Sequence, residues 1–287
     1  MKRAPWLNAA LAAFVAALGA WIYFKPPRDV AAEFVLSTLK AAEARSIRVE
    51  RRGEPPIVLE KREGSWRLSA PFAARGDDLR VQRLLEIVEA RAAHRFPATD
   101  LGRFELDRPQ ARLVVDGQAF AFGMVGAVAR EQYVLTEGAV YTVSPRYGTA
   151  LPAAAGDLAS RQVLAAGETP VRIALGEFTV EQRDGRWTLT PAVPDLSQDD
   201  LIRWVEDWRL SSASRVEPHT KGKALAEIGI TLKDGRALTL GILARDPELV
   251  LARGDEKLRY TFRTELAKRL LAPPGAAGVR NSPSTGR

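Results

Sequence analysis

The chain has no cysteine. That excludes disulfides, thiolate catalysis and Cys-ligated zinc or iron–sulfur centres. It leaves the compartment open, because a protein without thiols suits oxidising and reducing surroundings alike. Histidine is almost as scarce, with two in 287 residues. His94 follows a helical pattern in Ala92-Ala93-His94-Arg95-Phe96, and His219 lies in the loop Glu217-Pro218-His219-Thr220-Lys221. The helix dipole alone favours a histidine near a helix C-terminus, so His94 needs no metal or catalytic role to explain it. A metal site here would have to be built from carboxylates. Asp195, Asp199 and Asp200 form the best local cluster, and the same residues make an ordinary helix start.

Catalytic signatures are missing too. There is no Gly-x-Ser-x-Gly elbow, no Walker-type phosphate loop and no Gly-x-Gly-x-x-Gly fingerprint. Gly123-Met124-Val125-Gly126 has the wrong spacing and follows a hairpin rather than a strand feeding a helix. No residue is singled out as catalytic, metal-binding or cofactor-binding, and no cofactor is expected. Concentrated charge is absent as well, although the net charge is +7 and the pI about 9.8. Basic residues alternate with acids, as in Glu50-Arg51-Arg52-Gly53-Glu54. A nucleic-acid footprint calls for a basic patch or stripe, so nucleic acid is not an expected partner. Weak attraction to anionic lipid surfaces fits this composition better.

What the chain does have begins at its N-terminus. Met1-Lys2-Arg3 is basic, and Ala4 to Phe24 carries no charge. Twenty helical residues rise about 30 Å, the thickness of a bilayer's hydrocarbon core. Pro5 suits the first helical turn. Trp6 at one end and Trp21 and Tyr23 at the other suit the two interfacial belts. Ala17-Leu18-Gly19 offers a small-x-small cleavage site, the alternative reading. The apolar run continues past Gly19 through Phe24, which favours an uncleaved anchor. The expectation is a transmembrane helix over residues 1–25, with the bulk of the chain periplasmic. Lys2 and Arg3 argue for that orientation, and Lys25 and Arg28 against it.

The rest of the chain spells similar things twice. Gly64–Pro71 reads GSWRLSAP and Gly185–Ala192 reads GRWTLTPA. Asp77-Asp78-Leu79 and Asp199-Asp200-Leu201 each open an apolar pattern at helical spacing. Asp116-Gly117 and Asp234-Gly235 each separate two alternating runs, a strong hairpin signal. Tyr133–Gly138 then matches Leu249–Gly254. This predicts an α+β fold: two tandem duplicated units of mostly antiparallel strands, each with one main helix. The units are assigned to residues 26–155 and 156–271, and a disordered tail rich in Pro, Gly and Ser to 272–287. A short helix is expected around Asp157 to Leu164. Trp66 and Trp187 suit core positions. Trp204 and Trp208, spaced i, i+4, share one helix face. That face either packs on the sheet or presents an aromatic stripe to a partner, which makes these two the candidate partner-binding residues.

Several stretches resemble a bacterial family, domain of unknown function 4340. They are Phe34-Val35-Leu36-Ser37-Thr38-Leu39, Ile47-Arg48-Val49-Glu50-Arg51, Val58-Leu59-Glu60, Trp66–Pro71, Phe104-Glu105-Leu106-Asp107-Arg108-Pro109, Phe122-Gly123 and Arg161-Gln162-Val163-Leu164. The chain departs from the family at Glu105, where Gly is usual. The resemblance implies a membrane-anchored envelope protein, in some members an auxiliary of gliding-motility-type ABC export systems. It carries over no catalytic residue. The resulting expectation is a single-pass inner-membrane protein acting as a non-catalytic accessory or binding protein of the envelope. The alternative is an envelope hydrolase using carboxylate chemistry.

Overall fold

The computed structural model describes residues 11–18, 20, 33–127, 130–194, 196–220 and 222–275. Most of the expected anchor and the tail from 276 onward lie outside these residues. Of residues 1–25, α1 (residues 11–18) is helical, and Leu11, Phe14, Val15 and Leu18 are exposed. Among the described residues no helix is long and apolar enough to cross a membrane.

The first half of the body runs β1 (Phe34–Val35), β2 (Ser46–Arg51), β3 (Ile57–Arg62), β4 (Ser65–Ala70), β5 (Ala74–Arg75), α2 (Asp78–Leu85), β6 (Arg91–Ala92), β7 (Arg95–Pro97), β8 (Ala111–Val115), β9 (Gln118–Val125), β10 (Gln132–Thr136), β11 (Ala139–Val143) and the single turn α3 (Arg146–Thr149). The second half runs β12 (Pro170–Leu175), β13 (Phe178–Arg183), β14 (Arg186–Thr190), α4 (Gln198–Leu210), β15 (Arg215–Pro218), β16 (Ala226–Leu232), β17 (Ala237–Ala244), β18 (Leu249–Arg253), β19 (Leu258–Phe262) and α5 (Thr264–Leu271). This is an α+β protein of antiparallel sheets with a few helices.

The first large sheet has the order β5-β4-β3-β2-β8-β9-β10-β11-β7, and the second β14-β13-β12-β16-β17-β18-β19-β15. A separate ribbon pairs β1 with β6. The two large sheets follow one route. A three-strand meander runs to one edge, a helix carries the chain back to the opposite edge strand, and a four-strand meander fills the space between. Only β5 has no counterpart in the second sheet.

The alternation of residues explains why most strands of the two large sheets bury one face. Ile47 and Val49 of β2 are buried between exposed or half-buried neighbours, as are Trp66 and Leu68 of β4 and Trp187 and Leu189 of β14. Both main helices lay one apolar stripe on their sheet. In α2 and the 3-10 turn that extends it the stripe is Val81, Leu84, Leu85 and Val88, and in α4 it is Leu201, Trp204, Val205 and Trp208. These stripes shift the alignment suggested by the letters. Leu79, paired with Leu201 on sequence, is 70% exposed, and Val81 is the buried match. Tyr133 against Leu249 is off by one residue rather than two, since the buried pair is Val134 and Leu251.

The two Asp-Gly turns also differ. Asp116 and Gly117 both have positive φ and link Val115 to Gln118 in a two-residue hairpin. Asp234 does not. Its carboxylate accepts from the Arg236 backbone N–H at 3.0 Å within a longer turn closed by Leu232 N–H to Arg236 O. Glu105 has φ 57°, so it occupies the left-handed region that glycine enters without strain.

Each sheet has its own core. A smaller cluster on the outer face of the first sheet holds Phe104, Leu106, Ala121 and Val140. Phe72 and Ala74, beside β5, pack against both main cores. The helix expected near Asp157 to Leu164 is instead a 3-10 turn at Ala155–Asp157 followed by extended chain. The backbone groups of that chain are taken by strand neighbours on either side, which leaves none for helical hydrogen bonds.

Candidate functional site

Trp204 and Trp208 do come together, with ring centroids 6.2 Å apart at 76°. They are 4% and 0% exposed, so the aromatic stripe for a partner is not on the surface. The reason is that α4 has a single apolar face and the sheet covers it. Trp204 Nε1 donates to Arg269 O at 2.9 Å, while Trp208 Nε1 is buried without an acceptor. The exposed apolar side chains of α4 are Ile202 and Leu210.

His94 immediately precedes β7 of the first sheet, and His219 immediately follows β15 of the second. The backbone O of His94 accepts from Thr142 N–H, and the backbone N–H of His219 donates to Lys257 O. Asp200 belongs to the N-cap of α4, where its backbone N–H donates to Ser197 Oγ at 3.1 Å and its carboxylate accepts from the same hydroxyl at 2.6 Å. Asp195 lies outside the described residues. Among the described residues no group of three or more His, Asp or Glu is arranged to hold a metal.

Sequence reasoning missed the junction between the sheets, where the chemistry concentrates. β5 lies on the edge of β4, with Ala74 opposite Leu68 and Arg75 opposite Arg67. Gly76 continues it so closely that a Cβ there would stand 2.8 Å from Trp66. The linker then runs along the outer side of β5. Asp77 N–H donates to Leu158 O at 2.8 Å and Ser160 N–H to Arg75 O at 2.7 Å. One residue further on, the linker turns its hydrogen bonds to the second half. Ala213 N–H donates to Arg161 O at 2.8 Å, and Gln162 bridges Ser212. One short extended segment therefore stitches both halves together.

Arg75 locks this seam. Its Nε donates to Glu256 Oε1 at 2.7 Å, and its Nη2 donates to Gln162 O at 2.6 Å and Tyr260 Oη at 3.2 Å. Tyr260 Oη donates to Glu256 Oε2 at 2.5 Å. Behind it, Arg253 is 3% exposed and forks onto Glu168, with both N–H···O distances at 2.7 Å. Arg253 also donates to Val163 O at 2.6 Å and to Asp255. Ala165 N–H completes the Glu168 carboxylate at 2.7 Å.

Burial opposes each of these charges, and the hydrogen bonds overcome it. Desolvation alone would pull Arg75 down, but Glu256 holds it above its ordinary range. Desolvation would push Glu168 up, but Arg253 and the Ala165 N–H bring it below the usual carboxylate value. Asp255 is lowered in the same way, against its own burial, by Arg253. Burial pushes the Tyr260 phenol well up, and the Glu256 carboxylate adds to this, so Tyr260 serves as a hydrogen-bond donor rather than a base.

Two hollows flank the seam. One of about 520 Å³ is lined by Trp66, Arg67, Arg75, Asp77, Asp78 and Arg161, among others. The other, of about 370 Å³, is more apolar and includes Phe72, Val216 and Pro218, with Arg161 again in its wall. A smaller hollow of about 240 Å³ lies in the first half, beside Gln132 and Gly148. The seam could have been sought in the linker and in the longer β18–β19 turn, Gly254-Asp255-Glu256-Lys257. The letters give no sign that Arg75, some 180 positions earlier, would meet that turn.

A family model described as "Domain of unknown function (DUF4340)" matches residues 66–232, which run from β4 through the junction into β16. The chain belongs to this family. No curated protein and no solved structure matches it.

Proposed function

We propose that this family member is a membrane-tethered, non-catalytic accessory protein of the bacterial cell envelope, auxiliary to an ABC-type export system, and that it engages its partner at the junction cleft. The observation that carries the reading is the use of the acids at the seam. Glu256, Glu168 and Asp255 are each bound to arginine. Carboxylates held this way are occupied, so they suit a rigid binding surface better than acid–base chemistry. A hydrolase would need two converging carboxylates with at least one free, whereas each of these three is held by an arginine.

The apolar run from Ala4 to Phe24 supports a single inner-membrane span with the body in the periplasm. Such a tether raises the effective concentration of the body near membrane partners. The shared strand order of the two sheets supports an origin by tandem duplication of one module. The test is purification of the full chain in mild detergent. Co-purification with the permease or ATPase of an ABC-type exporter is the expected result. A chain that extracts free of lipid, or that brings down neither component, overturns the reading.

A further inference from the structure

Three arginines line the 520 Å³ cleft, and they are not equally engaged. Arg75 gives its Nε and Nη2 to Glu256, Tyr260 and the Gln162 carbonyl. Arg67 is exposed on β4 and has no acidic or hydrogen-bonding partner among the described residues. Arg161 reaches Asp157 only at 3.5 Å, and its Nε is buried with no acceptor. A buried guanidinium N–H without an acceptor is costly to leave unmatched. The two acids in the cleft wall are already committed. Asp77 accepts from Arg80 N–H at 3.1 Å, capping α2, and lies 3.4 Å from the Arg80 guanidinium. Asp78 accepts from Trp66 N–H at 3.4 Å.

We infer that the junction cleft binds an oxyanion, a phosphate or carboxylate group carried by the partner, with Arg67 and Arg161 as its charged ligands. The planar guanidinium matches both groups, and a bidentate fork gives direction as well as charge. The inference rests on reading the junction as a binding surface, and it does not need the membrane tether.

The test is calorimetric titration of the full chain in detergent with inorganic phosphate and, separately, with acetate. Saturable binding of either anion is expected, weakening with added salt. Preference for one or the other identifies a phosphate-bearing or a carboxylate-bearing partner. Arg67→Gln, at an exposed position of β4, should keep the melting temperature and weaken binding at least about tenfold. Arg161→Gln should weaken it as well. No heat from either anion up to about 10 mM, or wild-type affinity in Arg67→Gln, overturns the inference. An exporter component retained equally by wild type and Arg67→Gln would sink the oxyanion and leave the accessory role standing. Saturable anion binding by a chain that captures no exporter component would do the reverse.

Discussion

The two large sheets follow the same route, yet only the first carries an extra edge strand, and that strand makes the junction. The connection from β4 to α2 and the one from β14 to α4 are equal in length, Pro71–Asp77 and Pro191–Ser197. Where the first has Ala74, the second has Pro194, which lacks the N–H a ladder needs. Where the first has Gly76, the second has Leu196, whose side chain would collide with a strand lying as close as Gly76 lies to Trp66. The turns differ in the opposite sense. Glu137-Gly138 joins β10 to β11, whereas Gly254-Asp255-Glu256-Lys257 joins β18 to β19 and supplies the acids that receive Arg75. Each half thus departs from the shared plan at the place where it meets the other, and the departures fit together.

The strongest way to break this complementarity is to remove one member of its buried pair. Glu168→Ala leaves the Arg253 guanidinium, 3% exposed, without its fork. Thermal unfolding should register a loss of about 3–5 kcal/mol. The same pair sets an acid limit. Glu168 and Asp255 titrate below their ordinary values of 4.5 and 3.8 in the folded state. Their contribution is therefore complete above about pH 4.5 and is lost as the pH falls through the lowered folded values. Urea midpoints measured downward from pH 6 should drop more steeply for wild type than for Glu168→Gln. Parallel curves would mean that the fork contributes no linkage.

A smaller effect is expected from making the first connection resemble the second. Ala74→Pro removes the N–H on β5 opposite Leu68 and should cost about 3 kcal/mol or somewhat less at a sheet edge. It should also loosen the Arg75 contacts that depend on β5. Hydrogen exchange should report this as faster exchange at Gly76 and Ser160, whose N–H groups close the seam at 2.8 and 2.7 Å. Faster exchange at Trp66 alone would confine the damage to the first sheet and deny β5 its bridging role.

Strand alternation, helix stripes and hairpin turns are local, and they were legible in the letters, as were the antiparallel α+β class and the family. The letters misplace the register in two places, by two residues at α2 and by one at β10. Asp-Asp-Leu and the β10 motif match by letter, but burial aligns Val81 with Leu201 and Val134 with Leu251. The paired tryptophans of α4 were recognised as one face, but the letters could not say that the sheet covers it. The seam was illegible because its partners are distant in sequence and chemically ordinary. An arginine after Ala-Ala and a Gly-Asp-Glu-Lys turn gain meaning only once the two edges face each other.

The smallest predicted effect separates two solutions to one problem. Trp66 and Trp187 are equivalent edge residues whose backbone groups point away from their sheets. In the first half the task is divided, since Gly76 N–H donates to Trp66 O at 2.8 Å and Asp78 accepts from Trp66 N–H at 3.4 Å. In the second half the Gln198 amide does both, accepting from Trp187 N–H at 2.8 Å and donating to Trp187 O at 2.6 Å. A side-chain amide carries the same donor and acceptor as a peptide group, so Gln198 replaces the strand that Pro194 and Leu196 forbid. Gln198→Ala should therefore cost about 1–2 kcal/mol, and Asp78→Ala, losing one long bond, about 0.5 kcal/mol or less. Gln198→Glu keeps the acceptor and loses the donor, and should fall between wild type and Gln198→Ala. Equal losses from Gln198→Ala and Asp78→Ala would mean that the two edges are closed by packing rather than by these hydrogen bonds.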